Sequence, residues 1–590
     1  MRARGPLLLA AALAAILAWR LLSRAPAPPP NLLLITLDTT RPDDIDAGTP
    51  ALAAFLAASA RFPRARTTVP LTLPAHLTIL TGLDPRHHGV HENLAPRLPE
   101  ERGFPLLQEE LRERGYETAA FVASPVLGEA TGIAAGFDTF DAPARVGDSW
   151  SGAQDDLAAE ERVKAPVAWL EARKGTAPWF LWVHFYDPHV PYLPFPGDAL
   201  RPAAREGDPP SELHRGEVRR VDAAVERLLA AAGPSAIVIV ASDHGEGLGE
   251  HGEATHGALC YGSTADVVLA IRAPGLEAGP HEEVRSLADL APTVRQWCGL
   301  AAHASDGVAI GGGLGGRVVV TESLLSYRTY GWAEAFSATD GRFSLVESGP
   351  RLELYDLAAD PREAAPKEPE GHEAYEALDK ALAAYRKGGG GPELSGPYMA
   401  GSPYGHAVRP VAQYLPRAEN AALKDPETGF PFMDKMAQAK SLIHLGGERH
   451  DARALEQAIG TLNALVKEDP RNPAPYLYLV HAQGRLGWVL GEPDLHRAAA
   501  RSARDAIDLG YKVAPLLFDL LDESLAAGAP ADLRAALEVA VKEPIHPDAK
   551  CAELVERMRV QLEQAGDSEG TALARAFLDR CRKAGIWPPP

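Results

Sequence analysis

The stretch AIVIVASDHG, residues 236–245, decides the fold of this chain. Its first six residues are apolar and rich in β-branched side chains, which is typical of a short strand buried on both faces of a parallel sheet. Asp243 and His244 follow after Ser242, before Gly245. Because ligands bind at the carboxyl ends of strands in such sheets, we expect these two side chains at a functional edge.

A similar pattern occurs near the amino terminus, where the mostly apolar stretch NLLLITL at 31–37 predicts a buried strand that ends at Asp38. Strand and helix patterns then alternate along the chain. Helices are predicted near 50–60, 105–114, 155–172, 217–231 and 372–385, and strands at 118–122, 179–186 and 267–272, with short antiparallel strands over 342–355. This alternation predicts an α/β fold with a mostly parallel central sheet and helices on both faces. His184, inside one predicted strand, is expected to be a hydrogen-bonded core imidazole.

The glycine run Gly388–Gly391 interrupts the alternating pattern, and almost everything beyond about residue 430 has helical periodicity. We therefore predict a catalytic domain at 31–386, a linker at 387–430 and a helical domain at 431–590. The helix patterns pair at intervals of roughly 35–40 residues, which suits a repeat solenoid. Residues 465–484 resemble the junction between tetratricopeptide repeats, with an unrelated helical bundle as the alternative.

The first thirty residues have a basic start, an apolar run from Leu7 to Trp19 and a proline-rich end. This order is typical of an export signal, and we predict an uncleaved signal anchor that leaves the catalytic domain in the cell envelope, outside the cytoplasm. A cleaved signal peptide, giving a secreted or periplasmic protein, is the alternative. The net charge of −20 argues against nucleic-acid binding. Isolated packing of the four cysteines is expected, with a Cys551–Cys581 bridge as the alternative.

Three ordered motifs identify a family. They are Leu33-x-Ile35-x-Leu37-Asp38, Thr72-x-Pro74-x-His76 followed by Leu80-Thr81-Gly82, and Asp243-His244-Gly245-Glu246. Together they resemble the sulfatase-like branch of the alkaline phosphatase superfamily over about residues 31–385. The resemblance implies an alkaline phosphatase-like fold and an ester hydrolase that depends on a divalent metal.

The chemistry of the motif residues agrees with that resemblance. A threonine hydroxyl is inert at neutral pH unless a metal lowers its pKa. Asp38, Thr72, Asp243 and His244 are therefore predicted to form a first metal site. Two carboxylates and an imidazole favour zinc or manganese over calcium, which prefers oxygen ligands only. Thr39, where many calcium-dependent sulfatases have an aspartate, supports the same choice.

Thr72 departs from the true sulfatases, whose nucleophile is a formylglycine made from cysteine or serine. Threonine nucleophiles resemble those of phosphodiesterases and of phospho-group transferases, so we predict hydrolysis of phosphate diesters or related esters through a covalent intermediate on Thr72. The resemblance also assigns His189 to catalysis, and Asn93 and His76 to substrate binding. A turn residue is the alternative for Asn93, and a helix anchor for His76. Thr72 also suits a helix N-cap.

A second metal site could be formed by Asp187, His189 and His256, giving two ions instead of one. The alternative is a single ion, with His189 and His256 acting as cationic or general-acid groups. Three other functions stay open: a sulfuric ester hydrolase, a transferase to a lipid or glycan acceptor, and a repeat scaffold without catalysis. The predicted partners are a small-molecule, lipid or glycan ester, the membrane through the N-terminal segment, and a protein bound by the helical repeats.

Overall fold

The computed structural model describes residues 29–93, 97–143, 158–312, 316–388, 414–511, 514–543, 545 and 549–586. The predicted signal anchor lies outside these residues, except for Pro29 and Pro30. Among the residues described, no helix combines the length and the hydropathy needed to cross a bilayer.

The central sheet confirms the predicted α/β class. Within the described residues it has eight strands, β1 (Leu32–Leu37), β2 (Ala60–Arg61), β4 (Glu117–Phe121), β5 (Thr139–Asp141), β6 (Trp179–Phe185), β7 (Ile237–Ser242), β8 (Leu269–Arg272) and β9 (Gly279–Pro280). Their spatial order is β5-β4-β6-β1-β7-β8-β2-β9. Strands β5, β4, β6, β1 and β7 are parallel, and β8 runs antiparallel to both β7 and β2. A small parallel pair, β3 (Ala65–Arg66) and β10 (Arg285–Ser286), lies apart.

Alternate residues of the central strands pack into two different hydrophobic cores. Leu32 and Leu34 belong to one core, whereas Leu33, Ile35 and Leu37 belong to the other. Both faces of the sheet are therefore covered, as the continuous apolar runs indicate. The helices of this domain are α1 (Pro50–Ala57), α2 (Thr72–Thr81), α3 (Pro85–His88), α4 (Leu107–Glu113), α5 (Ala159–Arg162), α6 (Lys164–Glu171), α7 (Pro210–Ala232), α8 (Gly262–Ala265), α9 (Leu290–Cys298), α10 (Leu325–Tyr330) and α11 (Glu373–Lys387).

Helix α7 begins at Pro210, well before the predicted start at 217. Proline is well tolerated in the first helical turn, where its missing N–H would have no intrahelical partner. Gly216 masks the helical pattern, but the fold needs a glycine there because a Cβ atom would lie 2.4 Å from the Cβ atom of Ala204. Tertiary packing thus extends this helix beyond what its local sequence suggests.

A second, antiparallel sheet follows, with strands β11 (Val319–Ser323), β12 (Ala335–Thr339), β13 (Phe343–Ser348) and β14 (Arg351–Asp356) in that order. The described end of the predicted linker packs onto this sheet. Its helix α12 (Arg417–Asn420) brings the Asn420 Oδ1 atom to the Glu334 amide at 2.8 Å. Arg417 also donates to the Glu347 carboxylate at 2.8 Å. The described linker residues around helix α12 therefore pack on the surface of the catalytic domain.

The carboxyl-terminal region is helical, as predicted. Its helices are α13 (Phe430–Arg449), α14 (Ala452–Glu468), α15 (Ala474–Leu490), α16 (Pro493–Asp508), α17 (Ala514–Ala527), α18 (Pro530–Lys542), α19 (Ala549–Gln564) and α20 (Ser568–Lys583). Consecutive helices pack on one another from α13 to α17, and the last four stack as two hairpins, α19 on α17 and α20 on α18. This order is typical of helical repeats. All four cysteines are buried and none is in a disulfide, so the Cys551–Cys581 bridge does not form.

Candidate metal centre and active site

The predicted ligands meet because the ends of three strands are in register. Leu37, the last residue of β1, is opposite Phe185 of β6 and Ser242 of β7. Asp38 and the Asp243-His244 pair therefore leave the sheet at the same edge. All three side chains are fully buried.

Thr72 is the first residue of helix α2, and the extended residue Leu71 is the N-cap. The prediction that Thr72 is itself the cap is therefore wrong by one position. The Thr72 Oγ1 atom lies 3.4 Å from Asp38 Oδ2 and 3.5 Å from His244 Nε2. The hydroxyl thus lies at a helix N-terminus, where the backbone dipole also favours an anion.

The donor atoms of this first site have the spacing that a metal ion requires. His244 Nε2 lies 3.8 Å from Asp38 Oδ1 and 3.5 Å from Asp243 Oδ2. Four ligands at about 2.1 Å in a tetrahedron are about 3.4 Å apart. Asp38 Oδ1 and Asp243 Oδ2 are buried, and neither has a hydrogen-bond partner among the described residues. Two unpaired carboxylate oxygens beside an imidazole fit a divalent cation.

Hydrogen bonding fixes which nitrogen of His244 faces this site. His244 Nδ1 lies 3.0 Å from the Gly245 carbonyl oxygen, and only a ring N–H can pair with a carbonyl. The Nε2 lone pair is therefore left for a metal, as in many metal-binding histidines. Burial, with His256 adding to the effect, lowers the pKa of His244 to about 4 and keeps the ring neutral.

Burial acts on the two carboxyl groups in the opposite direction and raises their pKa. Burial raises the pKa of Asp243 to about 7, and the neighbouring Asp38 carboxylate contributes to that rise. Burial also raises the pKa of Asp38, to about 6, against the lowering effect of His244. Water is excluded from both groups, so a cation is the natural partner of their ionised forms.

His76 is fully buried, and both of its ring nitrogens are occupied. Nδ1 lies 2.7 Å from the Thr72 carbonyl oxygen, and Nε2 lies 3.0 Å from Thr36 Oγ1. Neither nitrogen is free to contact a substrate. These contacts support the alternative role of His76, an anchor that ties helix α2 to strand β1.

His184 corrects the prediction of a satisfied core imidazole. It is fully buried, and neither ring nitrogen has a hydrogen-bond partner among the described residues. Its Nε2 atom lies 3.3 Å from Asp38 Oδ2. His76, His184 and Asp243 also form a close cluster, with ligand atoms within 4.8 Å of one another. Because His76 is already hydrogen-bonded, we read His184 as a neighbour of the first site and not as the start of another.

The predicted second metal site is not assembled. In the parts of the chain that the structure describes, no cluster of three ligating side chains includes Asp187, His189 or His256. The Asp187 carboxylate instead accepts a hydrogen bond from the Ala159 amide at 2.8 Å. The rings of His189 and His256 do lie together, with centroids 5.0 Å apart.

Glu246, the last residue of the motif Asp243-His244-Gly245-Glu246, contacts a predicted site residue. Its Oε1 atom lies 2.9 Å from His256 Nδ1, and both side chains are buried. Burial by itself lowers the pKa of His256, but the Glu246 carboxylate raises it to about 9. The His256 ring centroid is also 4.4 Å from that of His244. The position of Glu246 directly after Asp243-His244-Gly245 was the available clue.

Asn93 lies beside the proposed nucleophile. Its Oδ1 atom accepts a hydrogen bond from the Leu73 amide at 2.8 Å, in the first turn of helix α2. His189 Nδ1 lies 2.7 Å from the Val190 carbonyl oxygen, so its Nε2 atom remains for other partners. The structure thus gathers Asp38, Thr72, Asp243, His244 and Asn93, with His189 and His256 adjacent, and leaves Asp187 apart.

Comparisons with known proteins concern the fold and the family of this region. The sulfatase family model matches residues 30–300. The solved structure of Ps i-CgsB in complex with k-i-k-neocarrahexaose is 17% identical, covers 62% of this chain and 94% of its own, and superposes with a TM-score of 0.51. The phosphonate monoester hydrolase of Agrobacterium radiobacter is 21% identical over 60% of this chain and 95% of its own, with a TM-score of 0.47. No curated protein sequence matches the chain. A sulfatase family model therefore matches residues 30–300, and the fold of the catalytic domain is similar to that of Ps i-CgsB.

Proposed function

We propose that this protein is a metal-dependent hydrolase of phosphate diesters or related phosphate esters, with Thr72 as the nucleophile. One observation carries the proposal: Thr72 Oγ1 lies within 3.5 Å of both Asp38 and His244, at the N-terminus of helix α2. A threonine side chain cannot be converted to formylglycine, the nucleophile of true sulfatases. An unmodified hydroxyl beside a metal site is instead suited to attack on phosphorus.

Asp38, Asp243, His244 and Thr72 would hold the metal, and the donor set favours zinc or manganese. When bound, the cation would activate the hydroxyl and offset negative charge on the ester oxygens. Thr72 Oγ1 donates to Asp38 Oδ2, so the hydroxyl proton passes towards that carboxylate as the oxygen attacks. A bond forms from Thr72 to phosphorus, and the bond to the leaving alcohol breaks.

In this proposal, His256 protonates the leaving oxygen. Glu246 accepts a hydrogen bond from Nδ1 and so orients the ring, which leaves Nε2 as the reactive nitrogen. In the second half of the reaction, water attacks phosphorus and gives a proton to His256. The bond to Thr72 breaks, and the threonine oxygen recovers its proton from Asp38. His189 lies next to His256 and would contact the same part of the ester.

Asn93 is hydrogen-bonded to the first turn of helix α2, next to Thr72. Its oxygen holds the Leu73 amide, so the amide nitrogen of its side chain lies close to the helix N-terminus where ester oxygens would bind. This is compatible with the predicted role of Asn93 as a donor to a non-bridging oxygen.

The family match favours a second candidate, a sulfuric ester hydrolase. The test is an assay of the metal-stripped full-length protein with a bis-aryl phosphate, an aryl phosphate and an aryl sulfate, after addition of zinc, manganese or calcium. We expect the diester to be turned over fastest, with zinc or manganese. Thr72→Ala should reduce kcat by about three orders of magnitude. Dominant sulfate turnover, or full activity of Thr72→Ala, would overturn the proposal.

We also propose a location in the cell envelope, outside the cytoplasm. The sequence of residues 1–30, with its basic start and apolar run, supports export. Protease digestion of cells with a permeabilised outer layer tests this: the catalytic domain should be cleaved while a cytoplasmic marker protein stays intact. Protection of the catalytic domain in these cells would contradict the proposal.

A further inference from the structure

The segment His91-Glu92-Asn93 connects the nucleophile to the rest of the molecule. Each of its three side chains contacts a different element. His91 Nδ1 lies 2.5 Å from Glu322 Oε1 on strand β11, and Asn93 holds the Leu73 amide at 2.8 Å. Glu92 forms an ion pair with Arg328 of helix α10. The position of this segment therefore depends on β11 and α10, and the first turn of helix α2 depends on the segment.

The Glu92–Arg328 pair is buried: the Glu92 side chain is 3% exposed and the Arg328 side chain 10%. A buried, hydrogen-bonded ion pair is costly to break because one charge is left without a partner. A shift of helix α10 would therefore move Glu92 with it instead of separating the two side chains.

Helix α10 is in turn held by the helical domain. The Tyr511 hydroxyl, just after helix α16, donates to the carbonyl oxygen of Arg328 and lies 2.8 Å from that of Thr329. Tyr511 is only 1% exposed and belongs to the hydrophobic core of the helical domain. The residue that contacts α10 is thus itself rigidly placed by the repeats.

Apolar contacts reinforce this junction. The rings of Tyr330 and Trp332 stack at 4.6 Å, and both pack against Phe432 of helix α13 in a single buried cluster. Gly429 allows the close approach, since a Cβ atom there would lie 2.1 Å from the Trp332 ring. Such close packing transmits small displacements between helix α13 and the Tyr330–Trp332 pair.

We propose that Tyr511 is a positioning residue for the active site, acting through Arg328, Glu92 and Asn93 on the helix that carries Thr72. The helical domain is then a working part of the hydrolase and not an independent scaffold. A partner that binds the repeats and moves Tyr511 would change the position of the nucleophile. The effect on turnover rests on the proposed function, whereas the effect on the conformation of helix α2 does not.

The test compares full-length Tyr511→Phe with wild type. The variant keeps the ring and its packing but removes the hydroxyl. We expect kcat for the bis-aryl phosphate to fall about five- to tenfold, the factor that corresponds to roughly one lost hydrogen bond, with KM and zinc affinity unchanged. Hydrogen exchange of the backbone amides in residues 72–76 should become faster by a similar factor.

Tyr476→Phe is the matched control. The Tyr476 hydroxyl donates to the Pro470 carbonyl oxygen at 3.3 Å within the helical domain. The substitution therefore removes a comparable hydrogen bond that has no connection to Thr72. We expect unchanged kcat and unchanged exchange in residues 72–76. Glu92→Gln tests the next link in a variant of nearly equal volume, and it should reproduce both effects of Tyr511→Phe.

Three results would overturn the proposal: Tyr511→Phe with lower thermal stability but unchanged exchange in 72–76, Tyr476→Phe with the same losses as Tyr511→Phe, or Glu92→Gln with wild-type exchange there. If no ester is turned over by wild type, the proposed function fails, and the exchange measurement still decides whether Tyr511 positions helix α2. If Tyr511→Phe does not fold, Glu92→Gln decides it.

Discussion

Removal of the metal should make the catalytic domain less stable as the pH rises. Asp243 is fully buried, and its pKa is raised from 3.8 to about 7, first by burial and then by Asp38. Between these two values the folded protein holds a proton that the unfolded chain has lost, so stability falls with increasing pH. A shift of about 3 pKa units corresponds to about 4 kcal/mol over the whole window, of which about 3 kcal/mol falls between pH 5 and pH 8.

Urea unfolding of the full-length protein measures this effect, with a chelator present and tryptophan fluorescence as the probe. Wild type is compared with Asp243→Asn, which removes the titrating group with little change in volume. The difference between the two proteins cancels the pH dependence of the groups that do not interact with Asp243, whereas Asp38, His76 and His184 do interact with it. We expect Asp243→Asn to gain about 3 kcal/mol relative to wild type between pH 5 and pH 8.

Addition of the metal at high pH should have the opposite effect on stability. At pH 8, zinc or manganese should stabilise wild type strongly, because the ionised carboxylates gain a cation, and Asp243→Asn only weakly. Glu117→Gln, at a half-exposed surface carboxylate, is the control and should behave as wild type. A stability difference between wild type and Asp243→Asn that does not change with pH, or equal stabilisation of both proteins by metal, would refute the reasoning.

Three further predictions concern single side chains. His184→Ala should weaken zinc affinity about 10- to 100-fold through loss of the imidazole 3.3 Å from Asp38, as measured by competition with a chelating dye; unchanged affinity would contradict this. Glu246→Gln should lower kcat for the bis-aryl phosphate about 10- to 100-fold at constant zinc affinity, because His256 loses its orienting partner, and wild-type kcat would count against that role. Gly429→Ala should cost about 1–3 kcal/mol in urea unfolding because its Cβ atom meets the Trp332 ring, whereas Gly460→Ala, in open space on a helix, should be neutral or stabilising.

The central sheet could be predicted because its information is local. The runs over 32–37 and 237–242 are buried at every position, and apolar runs of this kind form strands that are covered on both faces. The polar residues directly after them, Asp38 and Asp243-His244, then follow the strand ends to one edge. The helical domain could be predicted for the same reason, since its apolar periodicity extends over whole helices.

The failures occur where a side chain's role depends on distant contacts. His184 looks like any imidazole in a buried strand, and only the pairing of β6 with β1 brings it to Asp38 without a hydrogen-bond partner of its own among the described residues. Asp187 lies two residues after a strand end, yet its Oδ1 atom accepts from the Ala159 amide, and among the described residues it belongs to no metal-binding cluster. Neither the hydrophobic periodicity nor the spacing of motifs in the sequence indicates which distant residues will be hydrogen-bond partners.

The sequence by itself therefore determined the strands, the edge where they end and the types of side chain that this edge presents. Only the tertiary structure decided which of those side chains meet, that Glu246 holds His256, and that Tyr511 of the helical domain reaches Arg328 across 183 positions of the chain. The reason is physical: strand and helix formation follow from nearest neighbours and burial, whereas a contact between distant residues exists only once the packing of whole elements has placed them together.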